Sequence, residues 1–205
     1  MIINGAYLKL AAPIINMLSK KVKAHGVSHG LSEVGYDIRV KQKIEWFPPS
    51  VETFLYLLED RDTGMVTHEY LVKEGEKALY GYTRVYTSET DFVESIGRTA
   101  LASSIEEFDL PIDLWGELRN KSTHARRFFD ATIGTDMEPG WKGFLTIEII
   151  FHGLEPITIP AGSGIAKAVF HELKDHARYD GKYQSQPDAP VPSIYTVSEE
   201  GTSRA

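Results

Sequence analysis

The clearest signal in the chain is strict alternation of apolar and polar positions. In residues 34–40 (VGYDIRV), Val34, Tyr36, Ile38 and Val40 fall on one face of a strand. Residues 80–86 (YGYTRVY) alternate in the same way, and residues 52–58 form a further strand candidate, followed by a turn at Arg61-Asp62-Thr63-Gly64. The strongest strand is GFLTIEIIF at 143–151. Alternation puts Phe144, Thr146, Glu148 and Ile150 on one face and Leu145, Ile147 and Ile149 on the other. Strands at 157–159 and 165–170 follow, separated by a Pro-Ala-Gly-Ser-Gly turn. Helical spacing is rarer. Residues 13–23 (PIINMLSKKVK) set Ile14, Ile15, Leu18 and Val22 on one side. Pro13 suits a first turn, lysines gather at the C-terminal end, and His25-Gly26 close the segment, so a helix is expected there. Residues 103–108 (SSIEEF) are ambiguous, because Ser-x-x-Glu also opens helices.

Many short strands separated by glycine and proline imply a mainly-β fold, an all-β barrel or double-sheet roll with a few short helices. Its length of 205 residues suits one domain. Beyond Tyr183 the sequence turns to Gln, Ser, Pro, Asp and Thr, and with little to bury this tail is expected to be mobile unless a ligand or neighbour holds it.

Composition narrows the chemistry. The chain has no cysteine, which excludes disulfides, thiol nucleophiles and Cys-ligated zinc. A net charge of −7 makes general coating of nucleic acid a poor expectation. No apolar run approaches a membrane span, and the N-terminal lysines follow the apolar residues, the reverse of a secretory signal; a soluble cytoplasmic protein is expected. The seven histidines show no zinc-binding spacing, and neither GxxxxGK[ST] nor GxGxxG is present.

Against the acidic background, RNKSTHARR at 119–127 carries Arg119, Lys121, Arg126 and Arg127 without an acid. Arginine forks and the Ser122 and Thr123 hydroxyls suit phosphate oxygens, and in a helical turn Ser122 and Arg126 share a face. On charge alone the run reads more simply as a solvated turn. Glu148 among apolar neighbours is either a wet edge-strand residue or a carboxylate whose pKa burial raises, as a general base near neutral pH requires. MEPGWKG at 137–143 adds a turn, the second carboxylate Glu138, and Trp141, which suits packing or stacking on a base. YDGKYQSQ at 179–186 suits a lid or a plain surface tail.

Together these segments resemble the dCTP deaminase branch of the dUTPase-like superfamily. GLSEVGYDIRV at 30–40 looks like the early strand motif, with Gly35, Tyr36, Asp37 and Arg39 in register. TALASSIEEFDLP at 99–111 is similar to the segment leading into the phosphate motif, and KSTHAR at 121–126 to that motif itself. MEPGWKGFLTIE at 137–148 matches the next block, and GKYQSQ at 181–186 resembles the C-terminal lid. The order is conventional over most of residues 26–187.

The resemblance implies a distorted β-barrel or jelly roll over residues 1–187 with a tail at 188–205, assembled as a homotrimer with active sites between subunits. It implies hydrolytic deamination of dCTP, or of a modified dCTP, to dUTP and ammonia, with Glu148 activating water at C4 of cytosine. Ser122 and Arg126 would complete the catalytic set by positioning water and stabilising charge. Lys121, Thr123, His124 and Ala125 would lie close to the nucleotide and its phosphates. Glu138, Thr146, Ile147 and Lys167 would serve the substrate site around the base, and Tyr179, Lys182 and Gln186 would come from the lid. Mg²⁺ would arrive on the substrate triphosphate, with no zinc or other resident metal. The alternatives are a dUTP diphosphatase, alone or combined with deamination, which lacks its usual aspartate here and has Glu138 as its candidate, and a non-catalytic nucleotide-binding regulatory trimer. The chain departs from the pattern at His124, where an aromatic or aliphatic residue is usual, and at Lys167, where many relatives have glutamine. Residues 41–98 match poorly. The loop 128–136 (FFDATIGTD), expected near the base, and the lid QSQPDAP also differ from the family pattern.

Overall fold

The structure, a computed structural model, describes residues 1–47, 98–134, 136–153 and 155–194, together with four strands between residues 54 and 96. In chain order the elements are β1 (Ile2–Ile3), α1 (Gly5–Ala11), β2 (Lys21–Ala24), β3 (Val27–Leu31), β4 (Tyr36–Arg39) and β5 (Lys43–Phe47). Next come β6 (Phe54–Glu59), β7 (Val66–Leu71), β8 (Tyr82–Tyr86), β9 (Phe92–Ile96), β10 (Thr99–Asp109) and β11 (Leu114–Asn120). The last group is α2 (Ser122–Ala125), β12 (Phe129–Asp130), β13 (Asp136–Met137), β14 (Lys142–Phe151), β15 (Ile157–Ile159) and β16 (Gly164–Glu172). The fold is mainly β with short helices, as the alternation predicts. The turn expected at Arg61–Gly64 lies outside the described residues.

One sheet runs β13-β11-β16-β4-β3-β2, with β1 also on β16. A second runs β10-β14-β12, a third β15-β5-β8-β9, and β6 pairs with β7. Bridges such as Val40 to Ser104 link sheets, but among the described residues the ladder does not close into one continuous barrel. All strand pairings within the sheets are antiparallel, which lets one face of each strand take the core and the other solvent or a cavity. In β14 the odd-numbered Leu145, Ile147, Ile149 and Phe151 are buried and Phe144, Glu148 and Ile150 are partly exposed, as the alternation predicts; Thr146, assigned to the same face as Glu148, is buried, bonded to Gln186 and Val191.

The helix expected over residues 13–23 does not form. The helix lies earlier, at α1, and residues 13–15 run along β10 instead. Asp109 N donates to Pro13 O at 3.0 Å, Ile15 N donates to Glu107 O at 2.8 Å, and Ile14 is buried against the core. Leu18 N donates to the Tyr36 hydroxyl, so tertiary partners satisfy the backbone that a helix would have satisfied internally. The lysines at 21 and 23 stand on β2. His25 and Gly26, at φ 52° and 78°, make the two-residue hairpin turn into β3 rather than ending a helix. Residues 103–108 resolve to strand. A register shift between Ser103 and Glu107 leaves Leu145 N to be met by Ser104 Oγ at 2.9 Å, and Glu106 turns inward to Arg39.

An aromatic row ties the sheets to the α2 turn. Trp46 of β5 stacks on Phe151 of β14, with ring centroids 5.3 Å apart, and Phe151 stacks on Phe129 of β12 at 5.5 Å. Phe129 in turn meets the edge of His124 at 4.8 Å.

Candidate functional site

The Glu148 side of the second sheet carries a cavity of about 320 Å³. Leu101, which faces Glu148 across the ladder, forms one wall together with Trp141, Leu145 and Thr146. Gly134 and Asp136 approach from the loop after β12, and Tyr179, Tyr183, Gln186, Val191 and Ser193 from the C-terminal segment. An adjoining apolar cavity of about 350 Å³ shares Leu101 and Glu148 and adds Ile133 and Ile150. Glu148 Oε2 is buried and has no hydrogen-bond partner among the described residues. Burial raises its carboxyl above the usual glutamate value, opposed in part by its own backbone N–H. A desolvated carboxylate with an unpartnered oxygen beside open space is ready to take a proton from a water.

The C-terminal segment is strapped onto this site by the MEPGWKG turn. Gly143, at φ 122°, runs beside Gln186 so closely that a Cβ would stand 2.5 Å from Gln186 N. That gap admits a parallel bridge, with Phe144 N donating to Gln186 O at 3.1 Å. Trp141 Nε1 donates to Tyr183 O at 2.7 Å, and Tyr179 N donates to Pro139 O at 2.7 Å. The Gln186 side-chain oxygen accepts from the Thr146 hydroxyl at 2.8 Å, and Thr146 Oγ1 accepts from Val191 N at 3.0 Å. Lys182 is not among the residues lining the cavity; its ammonium donates to Ile194 O and stands 5.1 Å from the ring centre of Tyr183. Two motifs far apart in sequence thus form one wall.

The basic run lies elsewhere. None of residues 121–126 lines the Glu148 cavity, and no lysine or arginine among the described residues does. Within the α2 turn, Ser122, Thr123, Ala125 and Arg126 are exposed. Of the four cations, Arg119 pairs with Glu117 at 2.8 Å, Lys121 with Asp37 at 2.7 Å, and Arg127 reaches Pro156 O at 3.4 Å. The Arg126 guanidinium makes no hydrogen bond or ion pair among the described residues, so it is the member of the run left free for an anion.

His124 faces inward. Its Nε2 lies 2.8 Å from Gly164 O, and since a carbonyl only accepts, that nitrogen carries the proton. Its ring fills an aromatic position against Phe129, which accounts for a histidine where the motif usually has an apolar residue. Ile147 is fully buried, with its side chain in the core. Glu138 is exposed and outside the cavity lining, while Lys167 stands on β16 facing Asp37. The cavity residues not singled out in the sequence are Leu101, Gly134, Asp136, Leu145, Tyr183, Val191 and Ser193. Leu101 had a signal: it is an apolar residue at the exposed phase of an alternating strand, 38% accessible between buried Ala100 and Ala102.

Burial pushes the His124 imidazole below its ordinary value of 6.5, offset in part by the Gly164 hydrogen bond. The unfolded chain therefore binds this proton more readily than the folded one. The associated stability is full above that ordinary value and declines as pH falls toward the folded pKa. His29, also lowered first by burial, acts in the same direction. His124→Phe is expected to flatten, but not abolish, the fall in melting temperature from about pH 7 to pH 5, at a cost of about 1 kcal/mol at neutral pH for the lost hydrogen bond. An unchanged pH slope in a thermal-melt series would contradict the assignment.

A mainly-β roll with a carboxylate-bearing cavity, a separate basic turn and a docked C-terminal segment is of the dUTPase-like type. A family model described as dCTP deaminase-like matches residues 13–173. The chain is 31% identical over 175 residues to a dCTP deaminase of Chlamydia caviae, covering 82% of this chain and 80% of that protein. It is 29% identical over 180 residues to a dCTP deaminase of Helicobacter pylori, covering 85% and 86%. It is 27% identical over 201 residues to one of Nautilia profundicola, covering 93% and 97%. The chain belongs to the dCTP deaminase-like family.

Proposed function

We propose that the protein hydrolyses the exocyclic amine of dCTP, giving dUTP and ammonia. The observation that carries this reading is Glu148, a half-buried carboxylate with an unpartnered oxygen at the junction of two cavities. In the reaction, Glu148 takes a proton from water as the hydroxide oxygen bonds to C4 of the base. Glu148 passes that proton to N3, then takes the proton of the new C4 hydroxyl and delivers it to the amine. The C4–N4 bond then breaks, ammonia leaves, and the new oxygen becomes the uracil carbonyl. Glu148 ends ionised, as it began.

Arg126 and the Ser122 and Thr123 hydroxyls suit the triphosphate and the developing charge. Because that turn does not line the Glu148 cavity of its own chain, we take the working assembly to be a homotrimer in which a neighbouring copy supplies it. Mg²⁺ enters chelated by the phosphates. The reaction belongs to pyrimidine deoxynucleotide metabolism in the cytoplasm; no helix among the described residues is long and apolar enough to cross a membrane. Gly134 and Asp136 put the atypical loop against the base cavity, where it sets tolerance for a modified cytosine.

The test is incubation with each deoxynucleoside triphosphate and Mg²⁺, with ammonia and pyrophosphate measured alongside chromatography. Ammonia and dUTP from dCTP are expected. Pyrophosphate from dUTP would favour the diphosphatase reading, and tight binding without product a regulatory trimer. Unchanged dCTP would overturn the proposal.

A further inference from the structure

Lys121, the first residue of the basic turn, does not extend toward solvent. Its side chain is only 9% exposed, and its ammonium lies 2.7 Å from Oδ2 of Asp37, a carboxylate 2% exposed. The ammonium also donates to Ser28 Oγ at 3.2 Å, and Ser28 Oγ donates to the same Asp37 oxygen at 3.2 Å. The three groups form a closed triangle joining β3, β4 and the residue that opens α2. Lys121 O accepts from His124 N at 2.9 Å and from Ala125 N at 3.0 Å, so the residue pinned inside by its ammonium is the one that starts the turn outside. The far end of the turn is held separately by His124 on Gly164.

A surface lysine keeps several rotamers, and a four-residue helix has little stability of its own. The turn is therefore preset by its anchors. Among the described residues, Lys121 is the cation closest to Asp37. The other carboxylate oxygen, Oδ1, makes no hydrogen bond there, and Lys167 Nζ stands 4.0 Å from it.

We propose that Asp37 is a positioning residue of the site, fixing Lys121 and through it the turn so that Ser122 and Arg126 stand ready before a polyphosphate arrives. This inference rests on reading residues 121–126 as the polyphosphate-binding element. Lys121 is then chiefly an anchor, and the exposed groups after it meet the ligand.

The experiment is a mutant cycle with Asp37→Asn, Lys121→Met and the double variant, in the full chain, well below each variant's melting temperature. It measures inorganic tripolyphosphate affinity by calorimetry and kcat and KM for dCTP. Asp37→Asn is expected to weaken tripolyphosphate by about tenfold, below the hundredfold that an ångström of misplacement can cost. KM for dCTP should rise more than kcat falls, with the pH profile of kcat unmoved, because Glu148 stands on another element. The double variant should be no worse than Lys121→Met alone, as expected when one residue acts through the other. Should Asp37→Asn not fold, Ser28→Ala loses only one hydroxyl and gives the same cycle at about threefold scale. Affinity within twofold of wild type in the folded variant, or losses that multiply in the double, would overturn the proposal. Tripolyphosphate does not depend on base chemistry, so a wild type that binds it without releasing ammonia from dCTP counts against the deaminase reading alone. A wild type that does not bind it sinks the phosphate reading of the turn, and this proposal with it.

Discussion

Glu148→Gln is expected to lower ammonia release from dCTP by about 10³-fold, within the range lost when a positioned general base is removed. The exchange is nearly isosteric and trades a carboxylate for an amide that cannot accept the proton of a water. Among the described residues Glu148 makes no ion pair, so no cation is left uncompensated, and its Oε2 has no hydrogen bond to lose. Nucleotide affinity and melting temperature should therefore change little, which separates loss of chemistry from loss of fold. The ionised form is the active one. Because burial raises this carboxyl, kcat should fall as pH drops through a value above the ordinary 4.5 of glutamate. Residual turnover in the variant should lack that limb. Single-turnover ammonia release across pH checks both statements. A variant retaining a tenth of wild-type turnover, or sharing its acid limb, would remove Glu148 from the proton path.

The motif residues of VGYDIRV show what alternation can and cannot tell. Tyr36, Ile38 and Val40 are buried as the period predicts, but Val34 is 39% exposed because the strand begins only at Tyr36. The intervening residues are also turned to use. Asp37 anchors Lys121, and Arg39 holds the buried Glu106 through Nε and its own N–H, both at 2.8 Å. Gly35, at φ 78°, lies where a Cβ would meet Ala168 O at 2.1 Å. A period of two assigns faces; it does not reveal that a polar residue finds a charged partner on a distant strand.

The same limit explains the misplaced N-terminal helix. Its apolar spacing was real, but the deciding partners, Glu107 O and the Tyr36 hydroxyl, come from elements far along the chain. At the site, Glu148 and its face were legible from β14 alone. The docking of residues 179–186 on residues 139–146 was not, because it depends on a close approach at Gly143. The loop 128–136 was expected near the base, but it has no periodicity to single out Asp136 within it, and the separation of the 121–126 turn from the Glu148 cavity is a fact of topology. His124 looked like a departure at a ligand-facing position and is instead an inward, edge-on ring.

Phe151→Ala should have the largest effect on stability. The ring is fully buried between Trp46 and Phe129, and Phe129 is the residue that seats His124. Its removal loses apolar burial and two ring contacts and leaves a void between two sheets. Such truncations cost about 3–5 kcal/mol. Total stabilities are about 5–15 kcal/mol, so a large share would go. A chain of this size should melt roughly 6–20 °C lower. Trp46→Phe offers a contrast: the buried Trp46 Nε1 has no hydrogen-bond partner among the described residues, so losing that N–H returns part of the packing lost with the smaller ring. The Phe151→Ala effect should also reach the basic turn, because a loosened Phe129 frees one side of His124. Tripolyphosphate affinity should then fall in Phe151→Ala even at temperatures where the variant is fully folded. A melting temperature lowered by less than about 3 °C would mean that the sheets relax over the void and that the aromatic row does not carry the junction.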